Sequence, residues 1–277
     1  MTKTICIYHG NCADGFTAAW ILNRALSNPE VEFYPGVYQN APPDVTGKKV
    51  YILDFSYKRP IMEDIIKQAD EVIHIDHHES AINDMEGFTN PKFTSLYSYG
   101  NLKSGAMLTW DWFFPNHAVP NFVAHVDDRD RWQFKMPGTR EVQANVFSYD
   151  YTFENWDMLF NMDIAQQIKE GAAIERAQAK NIKELKNVVV RRMNIGGYNV
   201  PVANIPYQFG SDMCTQLAKD EPFAAYYYDT PTVREFGLRS VDGGVNVSKI
   251  AMQFGGGGHE HASGFRVSYK EAEKFEI

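Results

Sequence analysis

The sequence predicts an α/β protein with an N-terminal parallel-sheet domain and a smaller C-terminal α/β mixed-sheet domain, joined by a long helix. Three observations carry that prediction. Short apolar, β-branched runs alternate with helical segments along the N-terminal half. Three of those runs end on a potential metal ligand: His9, Asp54 and Asp76. One helical segment without proline, Asp163 to Asn187, separates this half from a second strand-rich part. The expected boundaries are 1–160 for the first domain, 161–190 for the connecting helix and 191–277 for the second domain.

A chain of 277 residues is long for one hydrophobic core, which favours two domains. Hydrophobic content of 44% with 22% charged residues is that of an ordinary globular protein. No apolar run approaches the ~20 residues that span a bilayer, so no membrane association is expected. The start, Met1-Thr2-Lys3-Thr4-Ile5-Cys6, enters a strand at once and leaves no room for a signal peptide. Three cysteines, Cys6, Cys12 and Cys214, make no even disulfide framework. A reducing, cytoplasmic setting is the expectation. A formal net charge of −8 weighs against tracking a long duplex, which calls for a basic surface. A small anionic substrate held by a metal and one or two cations fits better, and the reading allows a homodimer.

Taken in order, Thr4 to Tyr8 is β-branched-rich and reads as a strand that delivers His9. The turn-rich Gly10-Asn11-Cys12-Ala13-Asp14-Gly15 follows, then an amphipathic helix from Phe16 to Leu26. Asp14 alone would be an ordinary helix-capping acid. Val31 to Tyr34 is a second strand and Lys49 to Leu53 a third, with Asp54 at its exit. Tyr57 to Ala69 repeats its isoleucines at helical spacing. The stretch that organises the chain comes next, Val72-Ile73-His74-Ile75-Asp76-His77-His78. It is a buried strand running into one acid and two imidazoles. Equivalent ends of parallel strands lie side by side, so His9, Asp54 and the Asp76-His77-His78 triplet should converge. Imidazole with carboxylate suits Mn²⁺, Fe²⁺ or Zn²⁺ better than Ca²⁺ or Mg²⁺.

Lys92 to Tyr97 reads as a further strand, and Ser104 as the N-cap of a helix over 105–113 that Pro115 stops. An apolar helical piece, Asn121 to Val126, leads into Asp127-Asp128-Arg129-Asp130-Arg131-Trp132 and carries an acid toward the sheet edge. Residues 133–160 are aromatic and show no regular period. Beyond the long helix, Val188 to Met193 and Asn199 to Asn204 flank a hairpin-like turn at Gly196-Gly197. Phe223 to Tyr228 and Val233 to Ser240 continue the second sheet. Near the end, Gly255-Gly256-Gly257-Gly258-His259-Glu260-His261-Ala262-Ser263-Gly264 precedes a last strand. Four ordered glycines are costly, and are tolerated where backbone N–H groups must approach an anion closely.

Together these blocks resemble the DHH phosphoesterase superfamily, in the branch that carries the DHH-associated C-terminal domain. RecJ-like nucleases, nano-RNases and cyclic-dinucleotide phosphodiesterases belong to that branch. The resemblance spans nearly the whole chain in the expected order: His9 to Gly15, Asp54, Asp76-His77-His78, Asp127-Asp128, then the glycine block. It implies two Mn²⁺ ions that activate a water against a phosphoester, with Mg, Fe or Zn as other occupants. By position, His9 would hold one metal, Asp14 the other, and Asp54 would bridge them. His77 and Asp128 would complete the second site, and Asp127 and Asp130 compete with Asp128 for that place. Asp54, Asp76 and His78 would form the reacting centre, with His78 close to the scissile phosphate. Arg239, in Phe236-Gly237-Leu238-Arg239-Ser240, would bind substrate with Gly256, Gly257, Gly258 and His259; His261 would touch substrate or brace the turn.

The chain departs from the family's pattern at one place. The first motif usually offers Asp-x-Asp before the glycine, whereas this chain reads Cys12-Ala13-Asp14 with Asn11 beside it. A thiolate is a softer ligand that favours zinc or iron, and a neutral Cys12 or Asn11 would weaken one site. The implied activity is hydrolysis of short single-stranded oligonucleotides. Cyclic dinucleotides, adenosine bisphosphate and a catalytically weakened nucleotide-binding protein are the alternatives.

Overall fold

The computed structural model describes residues 3–27 and 30–275. Met1 and Thr2 of the N-terminal stretch, and residues 276–277 of the second expected domain, lie outside the described residues. The chain divides into two compact units, Met1–Glu175 and Arg176–Ile277.

The first unit opens with β1 (Thr4–His9), α1 (Ala13–Leu26), β2 (Val31–Gly36), β3 (Lys49–Leu53), α2 (Arg59–Gln68), β4 (Glu71–Asp76), α3 (Glu79–Asp84) and β5 (Phe93–Tyr97). Its five strands form one sheet in the order β2-β1-β3-β4-β5, with every pairing parallel. Alternate residues feed two apolar layers, as a sheet covered on both faces requires. Ile5, Ile7, Val50, Ile52 and Val72 pack with Met62, Ile65 and Ile66 of α2. Cys6, Tyr51, Leu53, Ile73 and Ile75 pack on the other side with Ala18, Ala19 and Leu22 of α1.

Five helices follow: α4 (Gly105–Phe113), α5 (Asn121–Asp130), α6 (Thr139–Val146), α7 (Phe153–Asn161) and α8 (Ile164–Val189). Ser104 caps α4 by accepting from the Met107 N–H. The stretch 133–160, read as irregular from sequence, contains α6 and α7. Their apolar faces are short and are completed by aromatic contacts with distant segments, which no local period reports. Trp156 and Trp20 are fully buried there with Phe122 and Val142.

The second unit carries β6 (Val190–Ile195), β7 (Tyr198–Asn204), α9 (Tyr207–Leu217), β8 (Ala224–Asp229), β9 (Arg234–Arg239), α10 (Val247–Met252), β10 (Gly257–Gly258), β11 (Ala262–Val267) and α11 (Tyr269–Ala272). The sheet order is β10-β11-β9-β8-β7-β6, mixed, with β7 and β8 parallel. The β6–β7 hairpin turns on Gly196 and Gly197, at φ 58° and 85°, where glycine carries no Cβ penalty. The glycine block is ordered rather than a linker: β10 pairs with Gly264 and Ser263 of β11. Among the described residues no helix is long and apolar enough to cross a membrane.

A candidate metal centre at the strand ends

Strand register explains why the site residues meet. Tyr8 is level with Leu53, and Leu53 with Ile75, so the next residue of each strand is His9, Asp54 and Asp76. The order β2-β1-β3-β4-β5 reverses direction between β1 and β3, which opens a crevice at the carboxyl ends of those strands. Asp54 takes φ 56°, a left-handed conformation that Asp and Asn tolerate better than most residues. Its N–H donates to the Ile75 carbonyl at 2.8 Å, which locks it to the neighbouring strand. Two glycines allow helices to close on this point. A Cβ on Gly15 would meet the His9 carbonyl at 2.5 Å, and one on Gly105 would meet Asp54 Cβ at 2.4 Å.

The donors that result lie close enough to one another to share cations. His77 Nε2 is 3.0 Å from Asp54 Oδ1, 3.4 Å from Asp130 Oδ2 and 3.8 Å from Asp14 Oδ2. On the other side of Asp54, His9 Nδ1 is 3.4 Å and Cys12 Sγ 3.8 Å from Oδ2. Two donor groups follow, His9 with Cys12 and Asp54, and Asp14 with His77 and Asp130, each with its ligand atoms within 4.8 Å of one another. Asp54 touches both through its two oxygens.

Hydrogen bonds orient the rings. His77 Nδ1 donates to Asn101 Oδ1 at 2.9 Å, which turns the Nε2 lone pair toward the three carboxylates. His78 Nδ1 donates to Asp76 Oδ1 at 2.7 Å, and the same oxygen accepts the N–H groups of His77 and His78. His74, one turn of the pleat earlier, is fully buried between the Phe55 carbonyl and the Tyr97 hydroxyl and braces the strand.

Electrostatics and unmet polar atoms both fit a cation. Burial first, then Asp54 and Asp130, push Asp14 well above the usual carboxylate range. Burial would also raise Asp54, but His77 and His9 hold it well below that range. Burial opposes a charge on His77, yet Asp54, Asp130 and Asp14 raise its pKa well above the ordinary imidazole value. The pocket therefore gathers more negative charge than its histidines balance. His9 Nδ1, Asp54 Oδ1, Asp76 Oδ2 and Asp130 Oδ2 are buried without a hydrogen-bond partner among the described residues. Buried polar atoms are normally satisfied, and orphans clustered around Asp54 are what divalent ions would answer.

No protein-family model matches the chain. An uncharacterized protein, R106, of Acanthamoeba polyphaga mimivirus is 28% identical over 296 residues, covering 95% of this chain and 67% of that protein. The oligoribonuclease NrnB of Bacillus subtilis (strain 168) is 24% identical over 221 residues, covering 73% of this chain and 54% of NrnB. RecJ of Thermus thermophilus, solved in complex with Mn²⁺, aligns with a TM-score of 0.52 at 12% identity, covering 97% of this chain and 50% of RecJ. The fold is that of the DHH phosphoesterases.

Within that DHH fold, the acid run of α5 is arranged differently from the motif register. Asp130 occupies the place expected of Asp128, because α5 continues through the run to Asp130 instead of ending at Val126. Residues three apart share a helix face, so Asp127 and Asp130 point the same way and Asp128 does not. Asp127 is held by a bidentate Arg131, at 3.0 and 2.6 Å, and by the Ser104 N–H. Asp128 accepts from the Lys135 and Met136 N–H groups and the Thr139 hydroxyl, and so ties down the segment after α5. Asp14 does not cap its own helix. It accepts from the Ser104 hydroxyl and the Gly105 and Ala106 N–H groups, capping α4 from outside. Asn11 stands beside the site at φ 56°.

In the second unit, Arg239 ends β9 opposite Ala262 and donates to Ser211 Oγ at 2.7 Å. Gly257 and Gly258 lie in β10, and Gly256 donates its N–H to the Ala251 carbonyl. His259 forms a turn with Ala262, and His261 Nδ1 lies 2.9 Å from Ser240 Oγ. Arg239, Gly258 and His259 thus share one end of this sheet. Sequence reasoning missed Asn101, which orients His77. Its signal was the Gly100-Asn101 pair, a left-handed turn with both residues at positive φ. Tyr38, whose buried hydroxyl is unpartnered among the described residues and whose ring meets His9 edge-on at 5.4 Å, was also missed.

Proposed function

We propose that this chain is a divalent-cation-dependent phosphodiesterase that hydrolyses short single-stranded oligonucleotides, with Mn²⁺ as the working ion. The observation that carries the reading is Asp54 standing between His9 and His77, with the buried Asp54 Oδ1 and Asp130 Oδ2 without a hydrogen-bond partner among the described residues and within 3.4 Å of His77 Nε2. His9, Cys12 and Asp54 would hold one ion, and Asp14, His77 and Asp130, with Asp54, the other. When bound, divalent ions supply Lewis acidity to a phosphoryl oxygen and make water a competent nucleophile near neutral pH. The chain's own residues do the rest. Asp76 fixes His78 with its proton on Nδ1, so that Nε2 presents a lone pair at the other end of the ring. Asn101 does the same for His77. Arg239, in the second unit, is a cation that would meet a substrate phosphate. The N–H groups of Gly255 and Gly256 are taken by the Met252 and Ala251 carbonyls, so the glycine block shapes the turn rather than donating to an anion there.

The substrate class is supported by the likeness to the oligoribonuclease NrnB and by the net charge of −8, which disfavours long polyanions. A substrate panel with Mn²⁺ tests it: di- to pentanucleotides, long single strands, cyclic dinucleotides and adenosine bisphosphate. The expected result is a rate that falls as the oligomer lengthens and is abolished by Asp54→Ala. Equal rates on long strands would overturn the short-substrate reading. Hydrolysis of cyclic dinucleotides or bisphosphate alone would reassign the pocket, and no hydrolysis of any of them would leave a nucleotide-binding protein.

A further inference from the structure

We infer that the His9–Cys12–Asp54 group is a thiolate cation site that selects a zinc- or iron(II)-like ion, beside an all-nitrogen-and-oxygen site at Asp14, His77 and Asp130. The inference rests on the metal-centre reading above and deepens it. Cys12 stands at the N-cap of α1 but makes no side-chain cap there. Its sulfur is instead directed at Asp54 Oδ2, 3.8 Å away, and His9 Nδ1 is 3.4 Å from the same oxygen. Tetrahedral ligands at ~2.0–2.3 Å from a metal sit roughly 3.3–3.8 Å from one another, which is how far His9 Nδ1 and Cys12 Sγ each stand from Asp54 Oδ2, and all three ligand atoms lie within 4.8 Å of one another. His9 Nδ1 is buried and accepts or donates no hydrogen bond among the described residues, so its lone pair is available to an ion.

The two donor groups differ in chemistry. The first offers sulfur, nitrogen and oxygen; the second offers one imidazole and carboxylates only. Soft sulfur ligands favour zinc and iron, whereas an oxygen-rich set suits Mn²⁺. Binding replaces the S–H bond with a sulfur–metal bond, and the proton leaves to solvent. Asp54 would then join two unlike ions, the softer one on the Cys12 side.

Cobalt(II) titration of the metal-stripped full chain provides the test, read by the near-ultraviolet thiolate-to-cobalt absorption. Cys6 and Cys214 are fully buried in apolar clusters, so the band reports Cys12. Wild type should develop the band with one equivalent of cobalt, and zinc should abolish it more readily than Mn²⁺. Cys12→Ser should bind without the band, and Cys12→Asp should bind without it and shift preference toward Mn²⁺, both with unchanged far-ultraviolet circular dichroism. On wild type alone, zinc should protect Cys12 from a disulfide reagent. A cobalt spectrum identical in wild type and Cys12→Ser, or a thiol equally reactive with and without zinc, would overturn the inference and leave the metal centre standing. If wild type bound no ion at all, the metal centre itself would fall.

Discussion

Asp54 Oδ1 lies 3.0 Å from His77 Nε2 while Asp54 Oδ2 lies 3.4 Å from His9 Nδ1, so one carboxylate links the ends of three strands. The side chain reaches both because its backbone turns left-handed just as β3 ends. Removing it should therefore disable the centre without unfolding the sheet, since the N–H bond to Ile75 stays. Asp54→Asn should lower phosphodiesterase turnover by at least ~10²-fold, the scale of losing one preorganised electrostatic contact. Single-turnover hydrolysis of a dinucleotide, with metal content by mass spectrometry, checks this; near-normal turnover would exclude Asp54 from the centre.

Asn101 acts through His77, so its loss should weaken metal binding rather than abolish it. Asn101→Gly keeps the left-handed turn and deletes the acceptor for His77 Nδ1. Metal affinity should fall ~10–100-fold, the usual effect of removing a group that orients a ligand. Calorimetric titration against wild type measures it. An unchanged affinity would mean that His77 is oriented without Asn101.

Gly105→Ala should be destabilising although the position is helical and Ala is the better helix former. The new methyl would stand 2.4 Å from Asp54 Cβ and 2.7 Å from its Oδ1. Overpacking of this kind costs typically ~1–3 kcal/mol. A lowered urea midpoint with an unchanged slope is the expected outcome, together with weaker metal binding.

Asp229 sits in a bidentate pair with Arg234, at 2.7 and 3.1 Å, and that hydrogen bonding holds its carboxyl below the ordinary range. A depressed carboxylate pKa adds stability above the unfolded value near ~3.9, and that stability is lost as pH falls through the folded value. Asp229 is 45% exposed, so the pair is worth ~1 kcal/mol or less. Asp229→Asn should accordingly cost that much at pH 7, and the difference from wild type should vanish in acid. Urea unfolding from neutral pH down through the ~3.9 reference value tests the sign; a gap that widened in acid would contradict it.

Thiol chemistry gives a further contrast. Burial pushes the Cys214 thiol up to about 12 and raises Cys6 strongly. Neither should react with a disulfide reagent in the native protein, while all three cysteines should react after unfolding. Rapid native reaction of two or more would mean that the apolar clusters around Cys6 and Cys214 open readily.

By itself the sequence determined the parallel sheet, the long helix, the mixed second sheet and the convergence of His9, Asp54 and the Asp76-His77-His78 triplet. Those features are periodic or follow from parallel strands having level ends, so local pattern suffices to read them. Only the tertiary structure decided which acid of α5 enters the centre, because the helix's phase turns Asp128 away from Asp130 while Arg131 and the Ser104 N–H take Asp127. It alone placed Asn101 behind His77, Asp14 at the start of α4, and Cys12 beside Asp54. These partners come from distant segments, and nothing in local spacing reports a contact that chain folding creates.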